Sequence, residues 1–256
     1  MYMFIAKSFG INNIAKALKI LALLFTVCSC KTMYLNQDTT SKTTQQLVLG
    51  HIGSEKEYIL QQGFNGTAIP TYKHPIKLNV YPTDFNKHSY NQFINAKASQ
   101  TADVPIQYID SITEKPKYLQ LQIVDKVAVV DAINNNENIS VKNYLSHNRY
   151  ANVITHISIA FNQDHYNAIT KADGVFLIEE TPKLYVLKLQ NTGKKAVYIP
   201  FNKGVVFQYK ASNCCWQENE RRQLNIVDLV SNYANCPNKT FKSSTRAKKK
   251  LNLYKL

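Results

Sequence analysis

Tyr118-Leu119-Gln120-Leu121-Gln122-Ile123 alternates apolar and polar residues without a break, and Lys126-Val127-Ala128-Val129-Val130-Asp131-Ala132-Ile133 follows at once with a helical pattern. A two-residue period puts one face of a strand inward, whereas a period near 3.6 puts one stripe of a helix inward. The switch between them recurs down the chain. Ser140 to His147 reads as a second helix. Asn152 to Phe161 returns as a strand with Val153, Ile157, Ile159 and Phe161 on one face, and Asp164 to Lys171 is helical again. Gly174 to Glu179 is an apolar strand, and Tyr185 to Gln190 alternates. Asn191-Thr192-Gly193-Lys194 then turns the chain into Val197 to Phe201, and Asn202-Lys203-Gly204 turns it into Val205 to Tyr209. Strands alternating with helices and ending in hairpins predict an α+β domain, with helices packed on a mixed, largely antiparallel sheet.

Before this stretch, Leu47 to Pro82 holds short strand candidates broken by glycine and proline, the clearest being Ile76 to Tyr81. Asp84 to Ser99 is expected to be helical, with Tyr90, Phe93, Ile94 and Ala98 on one side, and Gln100 to Pro116 to be loop. After it, Glu218 to Tyr233 is expected to be a helix. The last eleven residues carry Arg246, Lys248, Lys249, Lys250 and Lys255. Arg246, Lys248, Lys249 and Lys250 are a candidate patch for an anionic partner such as lipid headgroups. The preferred alternative is a solvated end in which Leu251, Leu253 and Tyr254 form a last edge strand.

The N-terminus has a different organisation. Lys7, Lys16 and Lys19 flank the apolar run Ile20 to Val27, which is too short to span a bilayer but suits the core of an export signal. The run ends in Val27-Cys28-Ser29-Cys30, which resembles the lipobox of bacterial lipoproteins: an aliphatic residue, two small residues, then the cysteine that is lipidated. The resemblance covers only the first 30 residues. It implies a signal over 1–29, removed on export, and a covalent lipid on Cys30, with no other cofactor expected. Several acyl chains at about 0.8 kcal/mol per buried methylene hold a protein stably on a membrane. Two positions after Cys30 stands Thr32, not the Asp that retains enteric lipoproteins in the inner membrane, so by resemblance the outer membrane is favoured. Lys31 to Tyr34 lacks the acidic run of some surface-displayed Bacteroidota lipoproteins, which favours the periplasmic face. Residues 30–46 form the lipidated cysteine and a polar tether. Residues 47–256 are assigned to a single domain.

Removal of the signal leaves 227 of the 256 residues and lowers the net charge from +14 to about +11. Hydrophobic residues make up 45% and charged residues 19%, which fits a chain with a real core. A basic chain often meets nucleic acid, but an exported one meets lipid phosphates and anionic glycans instead, so no nucleic acid is expected. In an oxidising compartment, Cys236 is expected to pair with Cys214 or Cys215, clamping the helix expected between them. His147, His156 and His165 fall on different elements and do not suggest a metal site. Asp125, Asp131, Asp164, Asp173, Glu179 and Glu180 are the carboxylates from which an acid pair would have to come. Trp216 reads as a core plug beside the disulfide. No catalytic motif is present, so no catalytic residue is assigned. The expectation is a membrane-anchored protein that binds or scaffolds an envelope protein complex or anionic component. The alternative is a lipid-anchored hydrolase acting on cell-wall or glycan material.

Overall fold

Alternation in Lys117–Ile123 places Leu119, Leu121 and Ile123 in the core, and the strand pairs on one side with Ile76–Asp84 and on the other with Ala151–Phe161. The computed structural model describes residues 40–58 and 61–252. Among these the strands are β1 (Ser41–Lys42), β2 (Ile52–Tyr58), β3 (Gln61–Ala68), β4 (Ile76–Asp84), β5 (Lys117–Ile123), β6 (Ala151–Phe161), β7 (Gly174–Thr181), β8 (Leu184–Gln190), β9 (Val197–Pro200), β10 (Gly204–Glu218) and β11 (Leu224–Ser231). The helices are α1 (Lys87–Lys97), α2 (Lys126–Asn134), α3 (Ile139–His147), α4 (Gln163–Thr170) and α5 (Ser244–Asn252). All the strands join one sheet, whose main path runs β1-β10-β6-β5-β4-β7-β8-β9, and every pairing is antiparallel. The fold is α+β, a largely antiparallel sheet with helices packed on it.

The two longest strands carry the branching. Opposite its pairing with β6, β10 takes β1 along Gln208–Tyr209 and β11 along Ser212–Glu218. Opposite its pairing with β10, β6 takes β5 and, nearer its start, β2. One face of the sheet forms the main core with α2, α3, α4 and α5. Val129, Ile133, Leu145, Ile169 and Ala247 meet Leu119, Ile159, Leu177 and Leu187 there. The other face holds a smaller aromatic core under α1, where Phe85 touches Tyr90, Phe93, Tyr118 and Phe207 with ring centroids 4.9–6.0 Å apart.

Five expectations need correction. Glu218 to Tyr233 is not a helix: β10 continues to Glu218 and β11 returns beside it. Leu224 to Val230 supplies β-branched and apolar residues, and a turn at Asn219–Gln223 closes the hairpin, with Gln223 N donating to Asn219 Oδ1 (2.8 Å). On α1 the buried side is Ser89, Phe93 and Ala96, while Ile94 and Ala98 face solvent. Asn86, not Asp84, starts that helix, through a reciprocal cap with Ser89. The polar stretch read as tether to Gln46 enters the sheet at Ser41, and Gln46 Nε2 donates to Phe201 O (2.8 Å). The chain at 244–252 is a helix rather than an edge strand, with Ala247 buried. Leu253 and Tyr254 lie outside the described residues, as do the signal, Cys30 and the tether to residue 39.

Candidate functional site

Pro70 and Pro75 bracket a segment without regular structure, Thr71-Tyr72-Lys73-His74, that runs past the end of α2. Asn138 fixes it there. Its side-chain Oδ1 accepts from Thr71 N (2.8 Å), and its Nδ2 donates to Thr71 O and Ala132 O (both 2.8 Å). Glu179 of β7 holds the next residue, accepting from Tyr72 N (3.1 Å), and Tyr72 Oη donates to Gly50 O (2.9 Å). Between this segment and Ala128, Asp131, Ala132 and Asn135 lies an open groove of about 390 Å³. Lys73 pairs with Glu137 at its rim, where Asp131 and His74 are also exposed. The volume suits a small ligand or a short segment of a larger one. The lining offers amide, carboxylate, ammonium and imidazole groups around two alanines. That is a set for hydrogen bonding and charge pairing.

Three of the six carboxylates singled out from the sequence hold structural roles. Asp125 caps α2 by accepting from Ala128 N (2.9 Å). Asp173 accepts from both N and Oγ1 of Thr192 (2.7 and 2.9 Å), and these bonds, the backbone one first, hold its carboxyl below the usual range. Glu179 is taken up by Tyr72 and by Lys183 N. Asp131 alone of the set lines the groove.

Of the cysteines, Cys215 on β10 pairs with Cys236. The bridge clamps a β-hairpin and the segment after it, not a helix. Trp216, next along, is buried and exchanges backbone hydrogen bonds with Phe241 (2.7 and 3.0 Å), on the edge of β10 beyond its pairing with β6. Cys214 is a buried free thiol, and burial pushes its pKa up to about 12. On α5, Arg246 lies over the Phe241 ring (5.2 Å) and Lys248 is exposed; the side chains of Lys249 and Lys250 lie outside the described set. Among the described residues no three His, Cys, Asp or Glu side chains gather as metal ligands, and no helix is long and apolar enough to cross a membrane.

Neither the family models nor the curated proteins contain a match to this chain. Among solved structures, a chain of the Gasdermin A3 membrane pore is similar at a TM-score of 0.30 and 7% identity, over 86% of this chain and 96% of that one. A likeness at that level carries no argument about fold or function.

The groove itself was not legible in the sequence. Asn138 sits in Asn134-Asn135-Asn136-Glu137-Asn138, and nothing in that run distinguishes the one asparagine whose amide grips a segment 67 residues away.

Proposed function

We propose that this chain is an exported protein, lipid-anchored through Cys30, whose domain binds or scaffolds a component of the cell envelope. The single observation that carries the reading is Val27-Cys28-Ser29-Cys30 behind a basic flank and a short apolar run. The Cys215–Cys236 disulfide supports it, because such bonds persist where the compartment is oxidising. Three of the six candidate acids, Asp125, Asp173 and Glu179, are engaged in backbone hydrogen bonds, which weighs against the hydrolase alternative. An outer-membrane anchor facing the periplasm remains the assignment, with Arg246 and Lys248 of α5 available to an anionic headgroup.

Mass spectrometry of the membrane-extracted protein tests the anchor: the mature N-terminus should be an acylated Cys30. An unmodified chain starting elsewhere refutes it. Co-purification from membranes, beside a Cys30→Ala control, tests the scaffold. A stoichiometric partner supports the reading, and release of fragments from cell-wall material without any partner favours the hydrolase.

A further inference from the structure

Tyr198 of β9, Lys188 of β8, Phe176 of β7 and Lys77 of β4 are successive cross-strand partners. Directly paired residues of antiparallel strands project from the same face. The neighbouring row, Ile199, Leu187, Leu177 and Ile76, is buried in the main core. The first row therefore stands on the opposite face, alternating aromatic, cation, aromatic, cation across four strands. Strands lie about 4.8 Å apart, so like members of the row recur about every 10 Å. One pleat step along β4, Asn79 pairs with Gln122 of β5. Tyr198 is 48% exposed, Lys77 is exposed, and Phe176 and Lys188 are half-buried. The α1 helix covers this face over the aromatic core around Phe85 and Phe207, and Val186, one pleat step from Lys188 on β8, is also buried. Glu180, beyond Ile178 on β7, is exposed and sits at the register shift between Glu179 and Thr181.

We propose that this face binds an anionic polysaccharide laid across β9, β8, β7 and β4. The flat faces of Phe176 and Tyr198 suit the C–H faces of sugar rings, and the ammonium groups of Lys77 and Lys188 suit carboxylates or sulfates. Asn79 and Gln122 carry donor and acceptor together, as sugar hydroxyls require. The regular alternation matches a polymer with a repeating charge. A bilayer surface is a poorer match, because interfacial binding buries protruding apolar groups, and Phe176 is half-buried with lysines on both sides. The inference rests on the envelope reading only for where such a polymer is met.

Affinity electrophoresis of the detergent-extracted, full mature protein tests it, with polygalacturonate and dextran sulfate as the charged probes and unmodified dextran as the neutral one. Retardation is expected with one or both charged polymers and not with dextran, and the preferred polymer separates carboxylate from sulfate recognition. Lys77→Gln with Lys188→Gln should weaken retention about tenfold or more. Tyr198→Ala should weaken it about threefold, and Lys171→Gln, just beyond α4, should leave it unchanged. Near-UV circular dichroism confirms that the variants fold. Equal retention of the double variant overturns the proposal. So does an equal loss with Lys171→Gln, preferential binding to phosphatidylglycerol vesicles, or no binding to any charged probe. An unacylated protein that still binds through Lys77 and Lys188 removes the envelope reading and keeps this one; an acylated protein that does not bind removes only this one.

Discussion

Among the described residues, three side-chain amides behave as fragments of strand. Asn134 accepts from Ile226 N (3.1 Å) and donates to Ile226 O (2.7 Å). Gln100 does the same for Val206, and Asn138 for Thr71. An amide carries a donor and an acceptor at peptide spacing, so one residue satisfies both polar groups of a backbone position that lacks a neighbouring strand. Asn138 is buried, and Asn138→Ala should cost about 3 kcal/mol, because the N–H and the carbonyl of Thr71 lose their partner together; the urea midpoint reads it. Tyr185 is the opposite case, a buried hydroxyl without a hydrogen-bond partner among the described residues. Tyr185→Phe should leave that midpoint unchanged or raise it, since the variant loses a desolvated polar atom and keeps the ring. Cys214, with its thiol pushed up to about 12 and buried, should resist iodoacetamide at pH 8 in the native protein and react on denaturation.

At the scale of elements, β10 organises the sheet, and its second half depends on the bridge. The Cys215–Cys236 bond closes 21 residues of chain that contain all of β11. Reduction should lower stability by about 3 kcal/mol in the chain-entropy account, measured by denaturation with and without reductant. The outer edge of β11 is covered by Asn134 and by Lys126 Nζ, which donates to Leu229 O (3.1 Å), so the edge is not a free template for another chain. On β2, Gly53 lies so close to β3 that an added Cβ would sit 2.1 Å from Asn65 O. Gly53→Ala must push β2 and β3 apart, and should lower the melting temperature far more than Gly193→Asn in the β8–β9 turn, where the space is open and asparagine tolerates the positive φ. The patterns of β5, β8 and α2 are plain in the sequence because each meets the core with one face. β11 was misread because its apolar residues fit a helical stripe as well as a strand, and only pairing with β10 decides between them.

For the whole molecule, acid is the informative variable. Burial beside Tyr185 holds the His51 imidazole down at about 4, against an ordinary value near 6.5. Between those values the unfolded chain binds a proton that the folded chain does not. Stability from this group is therefore complete above pH 6.5 and is lost as pH falls toward 4, by about 3 kcal/mol in all. His51→Leu should flatten that part of the profile in urea titrations at pH 7 and pH 4.5, leaving the share that belongs to carboxylates such as Asp173.

The local pieces can be read from the residues alone: the α+β class, most strands and helices between 118 and 210, the turn at Gly193, and a disulfide from Cys236 to one of Cys214 and Cys215. These follow from periodicity and from the φ demands of particular residues, which act over a few positions. The choice of Cys215 over Cys214, the groove gripped by Asn138 and the row Tyr198-Lys188-Phe176-Lys77 came only with tertiary structure. Alternation shows that Lys77 and Lys188 face away from the core, but β7 intervenes between their strands, and the register of three strands decides that they stand in one line. Register is set by the fit of whole core faces, Ile199, Leu187, Leu177 and Ile76 among them, and that fit exists only once the sheet has formed.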